Sequence, residues 1–134
     1  APDRPSSGCS RPPEAQRLRD TIATMQGAME KRLPRDFMEH ISTDFIGNEG
    51  AFDREGLHNL LRGVVLQNAQ IGVTLGPLDV AMREGGATVK FTAALTGGGG
   101  GLLPDNGQVY DVTTTWRQDG DEWVLLSAEW TPKL

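Results

Sequence analysis

The apolar residues in the first part of the chain recur at helical spacing. They follow one another at steps of four and three, which places them along one face of a helix. The members of this stripe are Leu18, Ile22, Met25, Met29 and Leu33. Pro34 has no backbone N–H to continue a helix, although it can occupy the first position of a new one. We therefore predict a first helix that begins near Glu14 and ends before Pro34.

Two further stripes predict two more helices. The second stripe is Phe37, Met38, Ile41 and Phe45. Residues 47–50, Gly-Asn-Glu-Gly, then tolerate turn geometry and are expected to end that helix. Asp53 follows as a predicted N-cap. The stripe of the third helix is Leu57, Leu60, Leu61, Val64 and Val65.

The period of the pattern changes to two after Asn68, which indicates strands. Residues 71, 73 and 75 are apolar in one phase, and residues 78, 80 and 82 are apolar in the other. An extra residue must therefore enter at Gly76-Pro77, and this predicts a bulge or bend. Strands are also expected over 87–96, 108–117 and 123–130, with a tight turn at Asp119-Gly120.

The last predicted strand is apolar on both faces. Trp123 and Leu125 lie in one phase, whereas Val124, Leu126, Ala128 and Trp130 lie in the other. Such a strand is either covered on both sides or part of a subunit interface. If Trp123 sets the inner face, Val124, Leu126 and Trp130 form the outer face; otherwise the assignment reverses, and the alternation alone does not decide between the two.

Together these elements predict an α+β fold. Three N-terminal helices pack on a strongly curved antiparallel sheet of about four strands, because a bend within a long strand curls the sheet. A curled sheet with helices on its concave side forms a cone with one open end.

The layout and three sequence stretches resemble nuclear transport factor 2-like domains, which have a cystatin-like fold. The stretches are Ile41–Gly47 (ISTDFIG), Asp53–Leu57 (DREGL) and Thr115–Trp123 (TWRQDGDEW). The resemblance covers about residues 14–131 and implies the fold rather than one function. Members of this superfamily include isomerases, dehydratases, cyclases, transport adaptors and many small bacterial proteins.

The length of the chain indicates its domain organisation, and its charge indicates which class of binding partner to expect. The chain has 134 residues, which suits one domain at 14–134 after a flexible Pro-rich leader at 1–13. Its formal net charge is -5, with 13 Lys and Arg against 18 Asp and Glu. We expect no nucleic acid partner, since phosphate binding needs concentrated basic residues. No cofactor is expected.

Cys9 is the single cysteine of the chain, so no intramolecular disulfide can form. Its setting, Ser7-Gly8-Cys9-Ser10, resembles the junction at which bacterial lipoproteins are cleaved and lipidated. The match departs from that pattern at Ser6, where an apolar residue is usual. Lipidation would tether the domain to the cell envelope, facing the periplasm, and without it a cytoplasmic location is expected. A free thiol in a flexible leader is the alternative.

Three residues are candidates for catalysis by analogy with ketosteroid isomerase, which shares this fold superfamily. Such a site needs a base and a hydrogen-bond donor in an apolar cavity. The candidates are His40, Asp44 and Tyr110, whereas Asp111 has the opposite phase to Tyr110 and should face away. None matches the isomerase or dehydratase catalytic sets, so the sequence favours a protein that is not an enzyme. Two histidines without ligand spacing predict no metal site.

A binding function requires fewer specific residues than catalysis does, because an apolar pocket needs concavity, aromatic lining and few polar groups. The residues expected near it are Met25, Phe45, Phe91, Tyr110 and Trp116. Two other surfaces are candidate contacts: Leu102 and Leu103 in the Gly-rich connection after Gly97, and the outer sheet face, through which a homodimer is expected. The sequence therefore predicts a binding or interaction domain, with a small isomerase or dehydratase as the alternative.

Overall fold

The structure, a computed structural model, describes residues 13–98 and 107–133. Within these ranges it has three α-helices, which are α1 (Glu14–Glu30), α2 (Pro34–Met38) and α3 (Arg54–Gln67). Its seven strands are β1 (Ile41–Gly47), β2 (Phe52–Asp53), β3 (Gln70–Leu75), β4 (Asp79–Arg83), β5 (Gly86–Gly98), β6 (Gly107–Asp119) and β7 (Glu122–Pro132). The predicted α+β class, with three helices on a curved sheet, is confirmed.

The sheet has more strands than predicted and is mixed rather than fully antiparallel. Its order is β2-β1-β7-β6-β5-β3, and β4 pairs with β5 beside β3. The pair of β1 and β7 is parallel, with Ile41 opposite Leu125, and the other pairs are antiparallel. The count of about four strands is therefore too low, because it missed β1 and β2 and took β3 and β4 as one strand.

The extra strand β1 corrects the predicted second helix. That helix ends at Met38, and Ile41 and Phe45 belong to a strand instead. Both side chains are buried in the core, as the sequence analysis expected, at 4% and 1% exposure. Residues four apart lie on one face of a helix and also on one face of a strand, so this spacing did not separate the two structures.

The bend predicted at Gly76-Pro77 is present as a break between β3 and β4. Both strands pair with β5, β3 along its second half and β4 along its first half. At the break, the amide of Gly76 donates to the carbonyl of Thr92 at 2.8 Å. The sheet edge thus changes direction at residues 76–78, which gives β5 two partners on one side.

A bulge in β7 resolves the question of which face of this strand is inside. Thr115 pairs with Ser127 and Trp116 pairs with Leu125, so Leu126 is an extra residue in the ladder. The bulge reverses the phase of the strand, and Trp123, Leu125 and Ala128 are all buried. Neither of the two assignments left open by the sequence holds along the whole strand, because Trp123 before the bulge is buried and Trp130 after it lines the space under the helices.

Helices α1 and α3 match their predictions closely in position. In α1, Leu18, Ile22, Met25 and Met29 are buried, whereas Leu33 lies beyond the helix and is exposed. Asp53 caps α3, since its Oδ1 accepts a hydrogen bond from the amide of Gly56 at 2.7 Å. The helices cover one face of the sheet, where the core is formed.

No helix in the two described ranges is both long enough and apolar enough to span a membrane.

Candidate ligand-binding cavity

A cavity of about 550 Å³ lies between the helices and the covered face of the sheet. Helix α1 contributes Met25 and Met29, and α3 contributes Leu57, Leu61 and Val64. The strand side is formed by inward-facing residues, which alternate along each strand with residues of the outer face. These residues include Ile71, Val73, Leu75, Phe91, Ala93, Tyr110, Val112, Trp116 and Trp130.

All five residues that the sequence predicted near a pocket line this cavity. They are Met25, Phe45, Phe91, Tyr110 and Trp116. The phase of each strand explains the result, because Tyr110, Val112 and Trp116 lie two or four residues apart and so share one face of β6. Whether these residues bind a ligand stays a prediction.

The two ends of the cavity differ in exposure. At the closed end Phe45 and Trp116 are 1% and 3% exposed, and Leu125 is also buried. At the other end Leu60 and Leu95 are 39% and 36% exposed. These exposed lining residues place the opening on the side of α3 and of the later residues of β5.

Polar groups of the closed end are paired with protein partners. The indole Nε1 of Trp116 donates to Oγ1 of Thr114 at 2.8 Å. That hydroxyl in turn donates to the carbonyl of Val89, also at 2.8 Å. Both hydrogen bonds are buried, so this end of the cavity presents a fully satisfied apolar surface.

The open end carries uncharged polar side chains. Asn68, Gln108 and Tyr110 line the cavity there, together with Gln26 on the side of α1. Gln26 is held by a 2.7 Å hydrogen bond from its Nε2 to the carbonyl of Val73. Among the described lining residues, Tyr110 is the only one with a titratable side chain.

Two of the three candidate catalytic residues do not reach the cavity. His40 is half-buried beside the start of β1, where its carbonyl accepts from the amide of Leu125 at 2.8 Å. Asp44 lies on β1 and is exposed, next to the buried Phe45, and is not near the end of a helix as expected. The structure thus brings neither a histidine nor a carboxylate of these candidates to Tyr110.

Other predicted positions lie away from the cavity or outside the described residues. Asp111 is exposed and pairs with Lys133 at 3.6 Å. Cys9, Leu102 and Leu103 are outside the described residues. Within those residues, no group of three or more His, Cys, Asp or Glu is placed to hold a metal ion.

Sequence reasoning missed three lining residues that matter for the chemistry of the opening. Gln108 shares the phase of Tyr110 along β6, which was a usable signal. Asn68 follows α3 and was treated only as the end of a helical pattern. The face of Trp130 was left open, because the bulge at Leu126 leaves no mark in the alternation itself.

Comparison with solved structures finds many with the same fold. A proposed scytalone dehydratase from Novosphingobium aromaticivorans superposes with a TM-score of 0.81 at 13% identity, over 90% of this chain and 85% of that chain. A proposed dehydratase of the NTF2-like family from Streptomyces avermitilis gives a TM-score of 0.76 at 17% identity, over 90% and 97%. Several other matched structures are described as having a cystatin-like fold.

A third match differs in length. Bd1075 of Bdellovibrio bacteriovorus superposes with a TM-score of 0.76 at 14% identity over 87% of this chain, which spans 41% of that protein. Neither a protein-family model nor a curated protein matches the sequence. The superpositions show a common fold, the nuclear transport factor 2-like, cystatin-like fold. At sequence identities this low they show the fold alone and assign no activity to this chain.

Proposed function

We propose that this chain, which has the fold of nuclear transport factor 2-like proteins, binds a small apolar molecule in its cavity without transforming it. The observation that carries the proposal is the cavity itself, with its volume of about 550 Å³ and its mainly apolar lining. Small-molecule sites in proteins have volumes of roughly 300–1,000 Å³ and a lining of this character.

The size of the cavity argues for an occupant. Protein interiors are close-packed, and voids much larger than a water molecule are few. A water molecule in the closed half would find few hydrogen-bond partners. The indole of Trp116 already donates to the hydroxyl of Thr114, and that hydroxyl donates to the carbonyl of Val89. An apolar ligand would instead gain roughly 25 cal/mol for each Å² of apolar surface that it buries.

The alternative is a small isomerase or dehydratase, and one observation favours it. Tyr110 lines the cavity and its hydroxyl makes no hydrogen bond with another described residue, so it could polarise a carbonyl. Proton abstraction also needs a base within hydrogen-bond reach of the same substrate. No carboxylate or imidazole lines the cavity among the described residues, and this makes binding the better-supported function.

Two adjacent alanines of β5 provide a matched test of binding in the cavity. Ala93 lines it, whereas Ala94 lies in the opposite phase on the outer face. The variants Ala93→Phe and Ala94→Phe carry the same added ring on opposite sides of one strand. Each is titrated with the uncharged dye Nile red, whose fluorescence rises in an apolar site.

We expect the Ala93→Phe variant to lose at least about tenfold in dye affinity, because the ring occupies ligand space, and to lose little stability in so large a cavity. The Ala94→Phe variant should bind as the unsubstituted chain does. Equal affinity in all three proteins would contradict the proposal. Turnover of an added substrate that requires Tyr110 would establish the alternative.

The envelope location and the homodimer are separate proposals. Lipidation at Cys9 is tested by the mass of the chain extracted from membranes of its own host, in which a bare cysteine would contradict it. Of the three residues considered for the outer face, Val124 and Leu126 are half-buried and do not line the cavity, whereas Trp130 lines it. A Leu126→Lys variant should therefore be monomeric if this face joins two copies, and an unchanged dimer would exclude the face.

A further inference from the structure

Three polar side chains of the cavity, Asn68, Gln108 and Tyr110, lie towards its open end, whereas the hydrogen-bonded Thr114 and Trp116 lie at its closed end. Tyr110 lies opposite Ala93 in the ladder of β5 and β6, and Gln108 lies opposite Leu95, nearer the opening. The same ladder reaches the closed end at Trp116, opposite Ala87. A ligand that fills the cavity therefore places one end among apolar side chains and its other end beside Gln108 and Tyr110.

Asn68 is brought to the same place by the backbone of Gly97. A methyl group at Gly97 would overlap the Asn68 amide, so any larger residue there would force this side chain to move. The Nδ2 of Asn68 donates to the carbonyl of Val64 at 2.9 Å and fixes the amide at the end of α3. Asn68 at the C-cap of α3, with Gln108 and Tyr110 of β6, called here the polar collar, thus line the cavity together.

The polar collar has unused hydrogen-bonding capacity. The hydroxyl of Tyr110 has no partner among the described residues. The amide of Gln108 makes one long contact of 3.5 Å, from its Nε2 to the carbonyl of Val109. Tyr110 is half-buried and Gln108 is exposed, so both side chains can exchange hydrogen bonds with water for hydrogen bonds with a ligand hydroxyl or carbonyl.

The polar collar carries no charge. No Lys, Arg, His, Asp or Glu lines the cavity among the described residues, and the chain as a whole has a net charge of -5. An ionised ligand group would lose part of its hydration there without gaining an opposite charge, which is unfavourable. The overall negative charge would add repulsion for an anion.

We infer that the ligand is an uncharged amphiphile, with an apolar body in the closed end and a hydroxyl or carbonyl group among Asn68, Gln108 and Tyr110. This inference rests on the proposed function and specifies its ligand class. The polar collar selects against carboxylates such as fatty acids, because they would need a cation at this end.

Three molecules with one ring system test the inference: naphthalene, naphthol and naphthoate. They carry no polar group, a neutral hydroxyl and a carboxylate, respectively, and their affinities follow from displacement of Nile red at neutral pH. Intrinsic differences in water solubility cancel when the ratio of two affinities is compared between variants. The variants are Tyr110→Phe, which removes one hydroxyl, and Gln108→Lys, which adds one cation at an exposed position.

We expect the Tyr110→Phe variant to bind naphthol about threefold to tenfold more weakly and naphthalene unchanged, as the loss of one hydrogen bond predicts. The Gln108→Lys variant should raise the affinity for naphthoate relative to naphthol by about tenfold, since hydrogen bonds to charged groups are stronger. Gln118→Lys is the matched control, because it adds the same charge to β6 outside the cavity lining and should leave the ratio unchanged.

The outcomes separate this inference from the proposed function. Displacement of the dye by all three molecules, with ratios unaffected by Tyr110→Phe and Gln108→Lys, would overturn the ligand class and leave binding in place. Failure of the unsubstituted chain to bind either Nile red or any of the three molecules would overturn both.

Discussion

His58 is a side chain on α3 whose charged neighbours are cationic. Partial burial is the main cause that lowers its pKa from the ordinary 6.5, and the positive charges of Arg62, Arg54 and Arg35 lower it further. The folded chain therefore resists protonation at this residue more than the unfolded chain does. Because the side chain is only half-buried, solvent screening keeps the effect on stability small.

The sign of this shift gives a pH prediction. The unfolded chain takes up a proton near pH 6.5, before the folded chain does, so the contribution of His58 is complete above that pH. It decreases as the pH falls through 6.5 towards the lower pKa of the folded state. Urea unfolding from neutral pH downward should show this loss in the unsubstituted chain and in His40→Gln, but not in His58→Gln.

Salt provides the second part of that test. Added salt screens the repulsion between His58 and the three arginines, so the loss of stability should become smaller at high ionic strength. A His58→Gln variant with the same pH dependence as the unsubstituted chain would contradict the assignment.

At the scale of the secondary structure elements, strand β1 shows what spacing can and cannot predict. Phe37 and Met38 lie in α2, yet Ile41 and Phe45 continue the same stripe in a strand, because a step of four preserves the face in both structures. Their burial was predictable from the pattern. Their conformation depends on parallel pairing with β7, a contact between residues more than 80 positions apart that no local pattern contains.

The bend at Gly76-Pro77 was predictable from the sequence, whereas the bulge in β7 was not. The break at Gly76-Pro77 shifts the phase between two apolar runs, and the sequence therefore revealed it. The bulge at Leu126 lies in a run with apolar residues in both phases, so no shift could be recognised. Five cavity residues were predictable from phase alone, while Trp130, which follows the bulge, was not.

Gly47 permits β1 to approach β7 closely. A Cβ atom at this position would lie 3.0 Å from the rings of both Phe45 and Trp130. We expect Gly47→Ala to lower the free energy of unfolding by about 1 kcal/mol, because the two rings must shift. Gly63→Ala in α3 meets no atom within 4 Å and should instead raise stability by about 0.5–1 kcal/mol.

Urea denaturation of both glycine variants compares a crowded site with an open one. If Gly47→Ala is as stable as Gly63→Ala, the close approach of β1 to Trp130 is not present in solution. The result also bears on the cavity, since Phe45 and Trp130 both line it.

At the scale of the whole molecule, the curved sheet and the helices enclose a space that the core does not fill. The bend at residues 76–78 allows β3 and β4 to follow β5 in two directions, and α1 and α3 cover the concave face. Side chains of the core, including Phe45 and Trp116, close one end. The fold therefore provides the cavity, and the residues at its opening decide what enters.

The charge distribution at this scale agrees with an uncharged ligand. The described ion pairs, Glu14 with Arg17 and Asp111 with Lys133, are outside the cavity lining. Among the described residues, the cavity lining thus contains apolar and neutral polar side chains only.

The central claim is that the cavity holds an apolar molecule, and a native mass spectrum of the protein purified from its own host tests it most directly. We predict a retained small molecule, uncharged and mainly apolar, on the unsubstituted chain and on Ala94→Phe, and its absence from Ala93→Phe. A ligand-free spectrum for all three proteins, or a retained molecule that survives Ala93→Phe, would contradict the account.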